Sequence, residues 1–181
     1  KQDTRIMRTI ETKLYSFTEL SDEAKKPAIQ AYQESNTEHH WNAEWRDSFN
    51  ALAEHFCGTV KDYQVSSCSY SHGSIDSRLD DAVLDLEGVR AWAWIHANGY
   101  ALAADEYPTG YYGDHDAFSP LWAFLARPSM GVSIRELIQN CADSLIAGWV
   151  SDMEYQDSEE CALEYLENDE AEHFTVDGAR F

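Results

Sequence analysis

The sequence predicts an α+β protein in which a small antiparallel sheet packs with four to five helices. Several segments place apolar residues at the helical period, whereas others alternate apolar and polar residues as half-buried strands do. Hydrophobic residues make up 44% of the chain and aromatic residues 13%, which is too apolar for a disordered acidic chain and predicts a real core. A length of 181 residues suits one domain, 1–181.

The first third of the chain predicts one strand and two helices. Residues 5–17 alternate apolar and polar side chains, which is typical of a strand with one buried face. Ser21 caps the first helix, and Pro27 within that helix removes a hydrogen bond and kinks or shortens it. The second helix begins at position 36 or 37 and ends near Cys57.

The middle of the chain predicts strands, a helix and a long loop. Residues 59–79 have strand composition, with Gly73 in a turn. Residues 81–97 form one helix with an apolar face. Residues 99–117 are rich in Gly, Tyr and Asp and form a long loop, which is uncommon unless the loop binds something or moves. A short helix then spans 119–126.

Two further elements follow the short helix. Ser133 and Glu136 have the spacing of a capping box, which predicts a helix through about residue 153. The tail, residues 173–181, forms a strand with a turn at Asp177-Gly178 near its end.

An acidic helical segment, about 152–172, carries ten acidic side chains and no Lys or Arg. Ser158 caps a helix within it. In a continuous helix these acids lie about 3 Å apart along the axis, close to the spacing of about 3.4 Å between phosphates of one DNA strand. The segment therefore predicts a surface that imitates nucleic acid, and its predicted partner-binding residues are Glu154, Asp157, Glu159, Glu160, Glu164, Glu167, Asp169 and Glu170.

The Tyr- and Asp-rich loop predicts a second contact with the same partner. Arginine pairs with carboxylates and stacks on aromatic rings, so acids beside exposed tyrosines complement an Arg-rich channel. The alternative is that these tyrosines only pack the loop onto the protein. The predicted contact residues are Asp105, Glu106, Tyr111, Tyr112, Asp114 and Asp116.

The overall charge points to a basic partner. The chain has 33 acidic and 13 basic side chains, a formal net charge of −20, and residues 91–181 hold 17 of the acids but only 3 of the bases. Direct binding to DNA or RNA is disfavoured because phosphates repel such a surface. No apolar run reaches the roughly 20 residues that span a membrane, and four cysteines without a paired motif predict buried free thiols in a reducing cytoplasm.

Three segments resemble a group of small acidic phage and prophage proteins. Residues 15–25 follow a Tyr-x-Phe-x-Glu-Leu-Ser-x-x-Ala-Lys pattern, 41–49 lie in a Trp-rich helix, and 174–178 read Phe-Thr-x-Asp-Gly. Some members of that group are loosely labelled antitoxin-like. The resemblance covers about a third of the chain, and the segment after Gly58 departs from the family pattern. It implies a phage setting and a shared fold, but no known active site.

Enzymatic alternatives have weaker signals. The Asp114-His115-Asp116 cluster could hold a divalent ion with a third carboxylate, and Cys57 and Cys68 lie near His55 and His72 in sequence. No metal-binding His pair at helical spacing, nucleophile elbow or phosphate-binding loop occurs. The sequence therefore predicts no catalytic residue, no metal and no cofactor.

The leading hypothesis is a phage-encoded inhibitor of a host defence complex that processes nucleic acid, such as a CRISPR effector or a restriction enzyme. Its acidic surface would occupy the basic channel of that complex in the host bacterial cytoplasm, by mimicry or by steric block. The alternative is an antitoxin-like or regulatory module that binds a different basic protein. A metal-dependent enzyme built around His115 is the third hypothesis.

Overall fold

The structure is a computed structural model that describes residues 11–35, 39, 41–100, 108–169 and 171–181. Its helices are α1 (Asp22–Ser35), α2 (Asn42–His55), α3 (Asp81–Leu84), α4 (Gly88–Ala97), α5 (Asp114–Ala126), α6 (Ile134–Gln156) and α7 (Glu159–Asn168), and its strands are β1 (Gly58–Gln64) and β2 (His72–Ser77). The strands form an antiparallel pair. The predicted α+β class is confirmed, with seven helices in the described residues, two more than the upper predicted number.

The chain divides into two compact units. The terminal unit contains residues 1–38 and 155–181, and the central unit contains residues 39–154. Each unit buries its own set of apolar side chains. The organisation as a single domain stays a prediction.

The core of the terminal unit lies between α1 and α7. Ala24, Ala28 and Ile29 of α1 are buried with Ala162 and Leu166 of α7. The short side chains of alanine let the two helix backbones approach closely. These helices therefore present their charged sides to solvent.

The ends of the terminal unit differ from the predicted strands. Ser21 caps α1 by accepting a hydrogen bond from the N–H of Ala24 at 3.3 Å, and α1 continues past Pro27 to Ser35. Residues 5–10 lie outside the described residues, and within 11–17 the strand is reduced to an isolated bridge between Tyr15 and Phe174. The tail likewise forms isolated bridges.

The central unit packs α2, α4, α5 and α6 around one core with the β1–β2 hairpin. Phe49, Phe118 and Leu145 are fully buried in it. The predicted strands within 59–79 are confirmed, and their pairing runs from Gly58↔Ser77 to Gln64↔His72. Gly73 lies within β2 opposite Tyr63, so its predicted position in a turn is wrong. Among the described residues, no helix is both long enough and apolar enough to cross a membrane.

Three predicted helix boundaries in the central unit are wrong. The segment 81–97 forms two helices, α3 and α4, because the chain leaves the helical path after Leu84 and is extended at Glu87. Gly88, with a φ of +54°, then begins α4. Helix α5 begins at Asp114, five residues before the predicted start. Helix α2 begins at Asn42, because Trp41 has a left-handed φ of +72°.

The start of α6 is as predicted. The Glu136 carboxylate accepts the Ser133 N–H at 2.9 Å, and the Ser133 hydroxyl accepts the Glu136 N–H at 3.1 Å. This reciprocal pair satisfies two donors at the helix terminus. The helix runs to Gln156, slightly beyond the predicted end.

Candidate partner-binding surfaces

Helix α7 carries the acidic face that the sequence predicts. The Ser158 hydroxyl accepts a hydrogen bond from the N–H of Cys161 at 3.1 Å, which confirms the predicted N-cap. Ala162 and Leu166 anchor one side of the helix in the core. The other side exposes four carboxylates to solvent: Glu159, Glu160, Glu164 and Glu167.

Most of these carboxylates have no internal partner. Within the described residues, Glu159, Glu160 and Glu167 form no ion pair or side-chain hydrogen bond. Glu164 accepts a hydrogen bond from the Tyr155 hydroxyl at 2.6 Å, and this bond raises the pKa of Tyr155 to about 12. The exposed carboxylates are therefore available to an external cation.

The acidic segment 152–172 is not one continuous helix. Helix α6 ends at Gln156, α7 ends at Asn168, and Asp157 lies between them. The line of charges predicted for one continuous helix over this segment, about 30 Å long, therefore does not form. Along α7 itself, four acids from Glu159 to Glu167 span about 12 Å, which still gives one charge per 3–4 Å.

The other predicted residues of this segment have varied positions. Glu154 is exposed in the central unit, and Asp157 is exposed in the terminal unit. Asp169 is half-buried, and its hydrogen bonds, chiefly from the N–H of Ala171 at 2.8 Å, lower its pKa. Glu170 lies outside the described residues. Asp169 therefore stabilises the chain at the C-terminal end of α7, and part of its side chain remains exposed.

Only some residues of the predicted second contact are exposed at the surface of the described chain. Asp105 and Glu106 lie outside the described residues, whereas Tyr111 and Tyr112 are exposed. Asp114 and Asp116 stand in the first turn of α5, where residues two positions apart do not face each other.

Asp114 supports the local fold instead of offering a surface contact. Its side chain is 1% exposed, and its carboxylate accepts the N–H groups of Thr109 and Gly110 at 3.0 and 2.9 Å, as well as the Thr109 hydroxyl. The prediction of Asp114 as an exposed partner contact is therefore wrong in this structure. A buried carboxylate with several donors fixes the loop that precedes α5.

Asp116 has a different environment. It is half-buried, and it packs against Gly148 and the Trp45 ring so closely that a Cβ at Gly148 would lie 2.7 Å from its carboxyl group. No hydrogen bond to its carboxylate forms within the described residues, and burial raises its pKa. This carboxylate is thus desolvated without a donor to compensate.

Aromatic rings lie next to Asp116 in the central unit. The rings of Trp41 and Tyr112 stack with centroids 5.9 Å apart and planes at 12°, and both side chains are more than half exposed, at 51% and 56%. Trp45 packs edge-on against Tyr112 at 5.3 Å. Its indole N–H donates to Asp152 at 3.0 Å. Trp45 lies within α2 and is buried, whereas Trp41 lies just before α2 and is exposed.

Trp41 has an unusual backbone conformation. A φ of +72° is rare for a bulky residue, and such strained conformations cost about 1–3 kcal/mol and occur often at functional sites. The carbonyl of Trp41 still accepts the first hydrogen bond of α2, from the N–H of Trp45 at 2.9 Å. The strained backbone therefore holds an exposed ring at the start of a regular helix.

The alternative catalytic groups do not come together in the described parts of the chain. No three His, Cys, Asp or Glu side chains there are placed to hold a metal ion. The Cys57 thiol pairs with the Tyr100 hydroxyl at 3.1 Å, and His55 packs edge-on against aromatic rings. The four cysteines form no disulfide, but Cys57 and Cys68 are exposed, so their predicted burial is wrong.

His55 makes the stability of the protein depend on pH. Burial lowers the pKa of His55 below its ordinary value of 6.5. The unfolded chain therefore takes up this proton first as the pH falls below about 6.5, and the free energy of unfolding decreases by up to about 1.4 kcal/mol per pH unit. We expect His55→Phe, which keeps a ring but cannot titrate, to flatten this decrease in urea titrations between about pH 7.5 and 5.5. An unchanged slope would contradict the assignment.

The chain matches no family model, no curated protein and no solved structure. The resemblance of its ends to small phage proteins therefore stays a prediction.

Proposed function

We propose that this protein is a phage-encoded inhibitor that binds a basic, nucleic-acid-binding protein of a host defence complex and blocks its access to DNA or RNA. The observation that carries the proposal is the exposed face of α7, on which no cation of the described chain pairs with Glu159, Glu160 or Glu167. The inhibitor makes and breaks no covalent bond. It acts by occupying a channel that phosphates otherwise fill.

Charge and spacing both support this proposal. The four exposed acids of α7 have an average density of one charge per 3–4 Å along the helix axis, close to the density of about one phosphate per 3.4 Å along one strand, although their individual gaps differ. Among the described residues of the terminal unit, no Lys or Arg forms an ion pair with Glu159, Glu160, Glu164 or Glu167, and Arg180 pairs with Glu172. Two Lys side chains lie over aromatic rings instead, Lys13 over Tyr15 and Lys25 over Phe17. A surface with these properties attracts Lys and Arg side chains and repels nucleic acid.

A charge-reversal variant tests the α7 face. Glu160→Lys, Glu164→Lys and Glu167→Lys together should weaken binding to the partner at least tenfold, because each change replaces an attraction with a repulsion. The partner is first captured from a nuclease-treated bacterial lysate at low salt and identified by mass spectrometry. The measured quantity is then the displacement of labelled DNA or RNA from the purified partner by the wild-type protein and by the variant.

A matched variant controls for net charge and stability. Glu11→Lys, Asp22→Lys and Glu34→Lys change the charge equally, and they likewise include one first-turn acid and one acid that accepts a side-chain hydrogen bond, Glu34 from Gln30 at 2.8 Å. We expect this variant to displace nucleic acid like the wild type. Equal loss in both folded variants, or no loss in either, would reject the α7 face. Failure of the wild-type protein to displace nucleic acid would reject the proposed function.

Salt provides a further check on the mechanism. Charges at an exposed interface are screened over about 8 Å at physiological ionic strength and about 3 Å at 1 M. Displacement by the wild-type protein should therefore weaken steeply between these conditions. A partner that remains bound with the same affinity at 1 M salt would show that apolar contacts dominate.

A further inference from the structure

We propose that an aromatic–carboxylate patch of the central unit, formed by Trp41, Trp45, Tyr112, Asp116 and Asp152, binds one arginine side chain of a partner protein. The guanidinium group would stack on an exposed ring face and direct its N–H groups to the carboxylates. The inference relies on the proposed function only for the basic character of the partner.

The exposed rings supply the stacking surface. Trp41 and Tyr112 stack on each other and remain about half exposed, so each has aromatic surface in contact with water. Trp45 supports them from inside, being 1% exposed and edge-on to Tyr112. Trp149 in turn lies parallel to Trp45, with ring centroids 6.4 Å apart. An exposed ring backed by buried rings is a firm platform for a planar cation.

The carboxylates supply the charge. Asp116 is half-buried, and its carboxylate accepts no hydrogen bond in the part of the chain that the structure describes. Asp152 accepts the indole N–H of Trp45 at 3.0 Å, which fixes its position beside the rings. After burial, these two carboxylates are the causes of the raised pKa of Tyr112, so the negative potential reaches the exposed ring. A cation there compensates Asp116, which has no compensating donor in the described chain.

Two glycines make the patch possible. A Cβ at Gly148 would lie 2.7 Å from the Asp116 carboxyl group, and a Cβ at Gly113 would lie 2.9 Å from the Trp45 ring. The Gly113 N–H also donates to the Ser48 hydroxyl at 3.0 Å. These close approaches fix the rings and Asp116 before a ligand arrives, and such preorganisation lowers the entropic cost of binding.

The geometry favours arginine over lysine and a side chain over a free compound. The guanidinium group is planar, stacks on aromatic faces and is weakly hydrated, whereas the ammonium group of lysine is a compact and strongly hydrated charge. The exposure of Trp41 and Tyr112 makes the patch an open surface. A small free ligand would bury little area there, whereas a protein covers the surrounding surface as well.

Short peptides test the patch without any partner. The probes are acetyl-Gly-Arg-Gly-amide, its Lys counterpart and free arginine, titrated into the full chain at low salt while the NMR signal of the Trp45 indole N–H is followed. We expect saturable shifts with the Arg peptide at millimolar concentration, and at least threefold weaker binding of the Lys peptide and of free arginine. Equal binding of the Lys peptide would overturn the assignment to guanidinium. Equal binding of free arginine would overturn the assignment to a protein side chain.

Matched variants locate the site. Asp116→Asn should weaken binding of the Arg peptide at least fivefold, whereas Glu54→Gln, an exposed acid in the last turn of α2, should leave it unchanged. Tyr112→Leu provides a second test by removing the exposed ring. Unchanged binding by folded Asp116→Asn or Tyr112→Leu would overturn the proposal. If the wild-type protein does not bind the Arg peptide but still displaces nucleic acid from its partner, the arginine-binding patch is rejected and the proposal for the α7 face is unaffected.

Discussion

Replacing Gly178 by Ala should destabilise the protein by about 2–5 kcal/mol, because the terminal unit has no room for the new methyl group. A Cβ at this position would be built directly onto the carbonyl oxygen of Ala24 and 3.1 Å from Pro27. That carbonyl belongs to the backbone of α1, which cannot move without disturbing the core between α1 and α7. Overpacking of this kind costs about 1–3 kcal/mol, and the positive φ of +84° adds about 1–2 kcal/mol for a residue with a Cβ.

Gly99→Ala is the matched control for this prediction. Gly99 has a similar φ of +77°, but no atom of the described chain lies within 4 Å of the position that a Cβ would take there. The free energy of unfolding of Gly99→Ala should therefore decrease only by the cost of the positive φ, about 1–2 kcal/mol. Urea unfolding followed by circular dichroism measures both variants. Equal losses would show that the tail does not approach α1 closely.

Replacing Asp114 by Ala should destabilise the protein by about 3–4 kcal/mol. The change leaves the N–H groups of Thr109 and Gly110 and the Thr109 hydroxyl without their acceptor. A fully buried donor without a partner costs about 1–3 kcal/mol, and because these donors are only partly buried we take the lower end of that range for each. It also removes an acid from the first turn of α5, where negative charge is favourable. The same unfolding measurement gives the loss. A loss below about 1 kcal/mol, the lower limit for one such donor, would mean that Asp114 is exposed and available to a partner, as the sequence suggested.

Asp116→Asn, two residues further along α5, should have the opposite sign. Because burial raises the pKa of Asp116 above 3.8, the charged form destabilises the folded state at neutral pH. Neutralising it should stabilise the protein by up to about 1 kcal/mol, a small gain because the group is partly solvated. The gain should disappear below about pH 3.8, where Asp116 is protonated in both states. Destabilisation by Asp116→Asn at neutral pH would contradict this assignment.

The predictions for Asp114 and Asp116 distinguish an acid that stabilises the fold from an acid that we propose to bind a partner. Asp114 stabilises the loop before α5 and is covered by it, whereas Asp116 weakens the folded state and stays accessible. A residue that lowers stability at an accessible position is typical of a binding site, where stability and function are in conflict. We expect Asp116→Asn to be more stable than the wild type and to bind the Arg peptide more weakly, which would demonstrate this conflict.

Local capping signals in the sequence predicted the starts of α1, α6 and α7. Ser21, Ser158 and the pair Ser133–Glu136 satisfy N–H groups within three residues of themselves, so their effect does not depend on the rest of the fold. The hairpin within 59–79 is also local, since its strands are close in sequence. The amphipathic pattern of α7 likewise fixed which side faces the core and which side carries the acids.

The sequence by itself determined the α+β composition, the helix caps and the exposed acidic face of α7, because these depend on residues within one or two turns of each other. Only the tertiary structure decided that 81–97 breaks between Leu84 and Gly88, that Asp114 is buried, and that Trp41 is exposed beside Tyr112. Each of these outcomes depends on a contact between distant segments or on a backbone conformation that periodicity does not report. The separation into two cores has the same origin, since the terminal unit joins residues from both ends of the chain.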